Sequence, residues 1–114
     1  MRVIPISFSL TAVTPYVQIW IGRCALAACV HGGDGASDYE LVVYDYVGAA
    51  PAGTEAQICP QIPYDGGALG ANGSEKGNHE ADAILGIWVG IYDSDGTAYT
   101  GVGPVTGTID IVVG

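Results

Sequence analysis

Residues 84–101 read ILGIWVGIYDSDGTAYTG. Leu85, Ile87, Val89 and Ile91 alternate with Gly86, Trp88, Gly90 and Tyr92, the period of two expected of a strand with one face in a core. Glycines set between aromatics on the opposite face predict flat rings lying across bare backbone. The run stops on Asp93-Ser94-Asp95-Gly96-Thr97. Short aspartate side chains bond nearby backbone and glycine reaches positive φ cheaply, so this pentapeptide predicts a hairpin turn leading into a strand at TAYTGVG.

Outward from this hairpin the same period recurs. Residues 3–13 set Ile4, Ile6, Phe8, Leu10 and Ala12 against Val3, Pro5, Ser7, Ser9, Thr11 and Val13. That pattern predicts a half-buried strand, and Pro5, which lacks an N–H, assigns it to a sheet edge. After Thr14-Pro15, Val17, Ile19 and Ile21 alternate with Tyr16, Gln18 and Trp20 in a second strand. ALAACV (25–30) either continues that strand or forms a single helical turn, and HGGDGASD (31–38) reads as a loop. YELVVYDYV (39–47) reads as a third strand, AQICPQIPY (56–64) as an irregular edge strand broken by prolines, and PVTGTIDIVV (104–113) as the last. Between them, residues 65–82 form the longest loop, of the length that usually binds something or moves. About seven to eight short strands without an amphipathic helix predict one all-β domain over residues 1–114, an antiparallel β-sandwich or jelly roll.

Composition narrows the function. Charged residues are only 13% of the chain against 49% apolar ones, so much of the surface must be neutral. Three cations, Arg2, Arg23 and Lys76, face twelve acids for a net charge of −9. Such a surface repels phosphate backbones and anionic lipid, which argues against nucleic-acid and membrane-surface partners. No stretch reaches the roughly 20 apolar residues of a membrane span. Pro5, Ser7, Ser9 and Thr11 break up the apolar N-terminus, so it is not read as a secretion signal.

Several residues invite a chemical reading. The run ending in Asp93-x-Asp95-Gly resembles the first motif of haloacid-dehalogenase-type phosphatases, which would make Asp93 the nucleophile and Asp95 the acid/base. That chemistry needs a parallel αβ sheet with later groups to hold phosphate and magnesium, and the chain after Asp95 has no Lys, no Arg and one acid, Asp110. A turn is the better reading, with no catalytic residue and no cofactor expected. Asp93 and Asp95 remain candidate calcium ligands, short of the six to eight oxygens calcium prefers. Cys24, Cys29, Cys59 and His31 make a candidate zinc set, read against a Cys24–Cys29 disulfide and against free buried thiols. His79, in the long loop, lacks an acidic orienter. Trp20, Trp88 and the seven tyrosines could stack on sugar or pack on a sheet.

With its Met-retained opening strand MRVIPISFSLTA, few charges and Gly/Ala/Thr-rich all-β character, the chain resembles small capsid decoration (cement) proteins of tailed bacteriophages. The resemblance implies a non-enzymatic virion protein on the capsid exterior, made in the host cytoplasm without a signal peptide. It would bind the major capsid protein or other assembly subunits as a homo-oligomer, often a trimer, through edge strands and apolar patches. Ile4, Ile6, Phe8, Trp88, Tyr92 and Leu69 are the contact candidates. A filament or cell-surface polymer subunit and a small glycan-binding module are the alternatives.

Overall fold

The computed structural model describes residues 2–33, 37–64, 75–77 and 81–114, the segment 75–77 by its backbone alone. Within these, nine strands follow in chain order: β1 (Arg2–Leu10), β2 (Tyr16–Ile21), β3 (Cys24–Gly32), β4 (Tyr39–Asp45), β5 (Ile62–Tyr64), β6 (Glu75–Gly77), β7 (Ala81–Ala83), β8 (Gly86–Tyr92) and β9 (Val105–Val113). One sheet has the order β1-β9-β3-β6, with β7 also on β3, and the other has the order β2-β8-β4-β5. β6 pairs with Cys29–His31 and β7 with Cys24–Leu26, so the two share one edge position end to end. Every pairing is antiparallel.

Apart from the adjacent pairs β4–β5 and β6–β7, each strand is followed by one in the opposite sheet. This is the winding of a jelly roll, and it brings the first and last strands together as neighbours. Because nearly every connection crosses between sheets, their inner faces form a single cluster. Leu10, Leu26, Ile109 and Ile111 meet Leu41, Val43, Ile87, Val89 and Ile91 in it.

The period of two holds where strands run unbroken. In β1, Phe8 and Leu10 are buried and Ile4 and Ile6 pack against the core, while Val3, Pro5, Ser7 and Ser9 are exposed. The strand stops at Leu10, short of the predicted residue 13, because Thr11 and Thr14 close a turn: Thr11 N donates to the Thr14 carbonyl at 3.1 Å and Thr14 N to Thr11 Oγ1 at 3.0 Å. Gln57, bridged to Tyr44, and β5, paired to Tyr39–Leu41, run along the outer edge of β4 and form the irregular strand expected there.

Two β-bulges change the reading elsewhere. ALAACV belongs to a separate nine-residue strand, β3, whose register against β9 shifts between Leu26 and Ala28. The extra residue switches the inward set from Cys24 and Leu26 to Cys29 and His31, so His31 lies in a strand and in the core rather than in a loop. A second bulge, between Gln18 and Trp20, lets Trp20 take the place opposite inward-facing Ile87 and leaves Ile21 67% exposed. The strand expected at TAYTGVG reduces to one bridge, Ala98 to Tyr92.

Two crossings between the sheets meet at one end of the molecule. β2 passes to β3 through Gly22 and Arg23, and β7 to β8 through Ile84 and Leu85. Gly22 N donates to the Leu85 carbonyl at 2.8 Å. At the end of β4 the Asp45 carboxylate accepts from the N–H groups of Ile84 (3.1 Å), Leu85 (2.8 Å) and Gly86 (3.4 Å). Burial pushes this carboxyl up, but the three N–H groups outweigh that and hold it below its ordinary value. Gly86 sits at φ +152°, where a Cβ would collide with the Trp20 carbonyl oxygen. Leu85 turns outward here, 51% exposed, instead of joining Ile87 in the core.

Two outcomes follow from this junction. Gly86→Ala should lower stability by at least about 3 kcal/mol, from positive φ plus collision, read as a lower urea midpoint. Asp45→Asn should cost about 1 kcal/mol near neutral pH, the low side of a charge-assisted bond because the carboxylate is partly solvated. Since the folded pKa is depressed, the Asp45 contribution is present above the unfolded value of about 3.9 and fades as pH falls through the folded one. The difference between parent and Asp45→Asn should therefore shrink in melts below about pH 4.

Candidate functional site

At the Asp-x-Asp-Gly turn both carboxylates are engaged by their own loop. Gly96, at φ +87°, donates its N–H to the Asp93 carbonyl at 2.9 Å, and Asp93 N donates to the Thr97 carbonyl at 2.9 Å. Asp95 Oδ1 accepts from Thr97 N (3.0 Å) and Thr97 Oγ1 (2.6 Å). The Thr97 hydroxyl and N–H hold the Asp95 carboxyl below the usual range. Asp93 accepts from Thr100 N at 2.9 Å and Thr100 Oγ1 at 2.7 Å. These bonds make the turn that the sequence predicts. Asp38, Asp93 and Asp95 line an open depression of about 350 Å³, but no group of three or more His, Cys, Asp or Glu among the described residues is placed to hold a metal ion.

The zinc set is not assembled. Cys24 and Cys29 lie on one extended strand, five residues and therefore about 16 Å apart, too far for shared ligation or for a disulfide, which needs Cα atoms within about 7 Å. All three thiols are free. Burial pushes the Cys29 thiol up to about 12 and raises Cys24 and Cys59 as well, leaving little thiolate for nucleophilic chemistry. His31 Nδ1 lies 2.6 Å from the Tyr39 hydroxyl. Tyr39 stacks on Tyr64 with centroids 4.5 Å apart and meets Tyr99 edge-on at 6.4 Å, so the histidine belongs to an aromatic cluster inside the sandwich. Sequence reasoning missed this cluster because the β3 bulge that turns His31 inward leaves no trace in the residue pattern. His79 and Leu69 lie outside the described residues.

A second cluster covers the outer face of the β2-β8-β4-β5 sheet. Tyr16 and Gly90 are cross-strand partners, and a Cβ at Gly90 would stand 2.7 Å from the Tyr16 ring. The predicted ring lying across bare backbone is thus present, supplied by the neighbouring strand. The Tyr92 hydroxyl bonds both Tyr16 and Tyr44 hydroxyls at 2.6 Å. The 48–55 segment covers them: Pro51 is buried, and a Cβ at Gly53 would lie 3.2 Å from the Tyr92 hydroxyl. Burial first, then the Tyr44 hydroxyl and nearby Glu55, push the Tyr92 phenol up to about 12 against the lowering effect of its bond with Tyr16. Val42 and Tyr44 are 4% and 1% exposed on this face, so β4 is buried on both sides.

A stacking platform needs bare rings, and these are covered or half-buried. Trp20 packs against the main core, and Trp88 is half-buried with its Nε1 enclosed and without a partner among the described residues. Of the contact candidates, Phe8 is buried and Ile4 and Ile6 pack inside. Tyr92 is half-buried with its hydroxyl engaged. Among the described residues, the large apolar side chains that stand exposed are Val3, Val13, Ile21, Ile84, Leu85 and Val102, beside the smaller exposures of Val30 and Val47. Most stand at turns or strand ends, where period-of-two reasoning gives no orientation.

No protein-family model and no curated protein matches this chain.

The tyrosine cluster yields a direct measurement. Tyr92→Phe removes the hydroxyl that joins Tyr16 to Tyr44 and should cost about 1–2 kcal/mol, more than Tyr16→Phe, which breaks one of the two bonds. Urea titrations of the two variants give the order.

Proposed function

We propose that this chain is a non-enzymatic structural subunit that decorates and cements a virus shell, docking on capsid subunits through the free edge of β1. The observation that carries the reading is the position of that strand. β1 is nine residues long and pairs only with β9 among the described strands, so a row of its backbone groups faces outward, flanked by exposed Val3, Pro5, Ser7 and Ser9. An edge of this kind can add a strand from another chain, and main-chain pairing of that type asks little of side-chain chemistry. The winding agrees with the reading at the level of fold analogy, since jelly rolls recur in viral capsid domains, although they also recur in lectins. The covered tyrosines give glycan stacking little support. The same free edge also favours a filament subunit, in which β1 would pair with the next copy in an open series.

Purified protein should co-sediment with undecorated capsids and raise their resistance to heat. Val3→Lys/Ser7→Lys, which places charge along the β1 edge without touching the core, should weaken binding at least about 10-fold. Absence of co-sedimentation and of any thermal gain would sink the decoration reading, and concentration-dependent growth of fibres would favour the filament.

A further inference from the structure

The end of the sandwich where the two crossings meet carries an apolar surface of its own. Ile21, Ile84 and Leu85 are 67%, 62% and 51% exposed, and the Gly22 to Leu85 backbone bond holds the two crossings side by side. Beside them lies an open groove of about 660 Å³ whose walls include Arg23, Ala25, Asp82, Ile84, Val112 and Val113. The charged side chains that line it are one exposed cation, Arg23, just before β3, and one exposed anion, Asp82 on β7, while the Asp45 carboxylate nearby is taken up by the Ile84, Leu85 and Gly86 N–H groups and the chain as a whole carries −9. Across β9 from Arg23, exposed Arg2 pairs opposite Val113, so two of the three cations of the chain stand at this end.

Two identical bodies of charge −9 repel over most orientations, and the approach that meets least repulsion brings together surfaces that are locally neutral. A cation and an anion beside an apolar patch are, in addition, self-complementary about a two-fold axis, because each can face its opposite on the other copy. We propose that this end is the contact of an isologous dimer of the chain, with Ile21, Ile84 and Leu85 of the two copies packed together and Arg23 of each copy paired with Asp82 of the other. The two-fold contact differs from the trimer that the decoration resemblance implies, and it stands independently of capsid binding. The molecule measures 38 × 27 × 20 Å, so an end face is small and the dimer falls in the weak class, with a dissociation constant on the order of 10 μM.

Sedimentation velocity of the purified chain from about 1 to 300 μM should show a monomer–dimer equilibrium centred in that range. Ile21→Ser/Leu85→Ser should weaken it at least about 10-fold, with an unchanged circular dichroism spectrum establishing that the variant is folded. Arg23→Asp and Asp82→Arg should each weaken self-association, because like charges then face each other, but an equimolar mixture should form the mixed dimer, in which every Asp meets an Arg. An internal Arg23–Asp82 interaction would not predict recovery on mixing. A parent chain that stays monomeric throughout, a trimer or open polymer, association that survives the serine pair, or a mixture no more associated than its components would each overturn the proposal.

Discussion

A carboxylate at the end of β4 governs the point where the chain twice changes sheets. Asp45 takes the N–H groups of Ile84, Leu85 and Gly86, and Gly22 is tied to the same segment, so one anion fixes both the entry into β8 and the exit from β2. The anchor holds β8 in the phase that its apolar residues demand. A slip of one residue would turn Ile87, Val89 and Ile91 out of the core and bring Trp88 and Tyr92 in. Gly86 enforces the same phase from below, since its backbone conformation and its close approach to Trp20 leave no space for a side chain. Once β8 is set, β4 and β2 pair on either side of it, and their inner faces meet those of β3 and β9.

The parts of this arrangement that were legible in the sequence are those whose causes are local. In β1 and β8, alternation alone identifies the core residues from Phe8 to Leu10 and from Ile87 to Ile91, because neither strand is interrupted. The Asp93–Thr97 turn was legible for the same reason: each aspartate bonds groups two to seven residues away. Asp45 gave no such signal, for its partners lie far along the chain and are brought to it by the winding. Both bulges were invisible too. An extra residue in one strand is defined by its partner, and β3 acquires its shift only against β9.

The consequences for side-chain chemistry track those bulges closely. Without the shift after Leu26, Ala28 and Val30 would point inward, and Cys29 and His31 would stand on the surface. With it, His31 meets the Tyr39 hydroxyl in the core and Cys29 becomes a buried hydrophobe. At β2 the shift brings Trp20 inward and pushes Ile21 out, converting an expected core residue into part of the apolar end. Composition supplied the constraint of few charges and an acidic excess, but where those charges leave a neutral surface is a property of the fold.

The two outer faces of the sandwich differ because of glycine and tyrosine. On the β2-β8-β4-β5 sheet, Gly90 admits the Tyr16 ring, Tyr92 ties it to Tyr44, and the 48–55 segment folds over the hydroxyls, so this face is closed by its own chain. On the other sheet most outward positions are short and uncharged, Val3, Pro5, Ser7 and Ser9 on β1, Thr106, Thr108 and Val112 on β9, Ala25 and Val30 on β3, with the acids Asp110 on β9 and Asp82 on β7 among them. Short β-branched and hydroxyl side chains leave a flat surface whose desolvation requires little loss of rotamer freedom, in contrast to one covered by Lys or Glu. A partner approaching this molecule therefore meets a self-covered face on one side and, on the other, a flat face bounded by the β1 edge, which no described strand but β9 pairs. That asymmetry follows from the glycine at position 90 as much as from any residue a partner would touch.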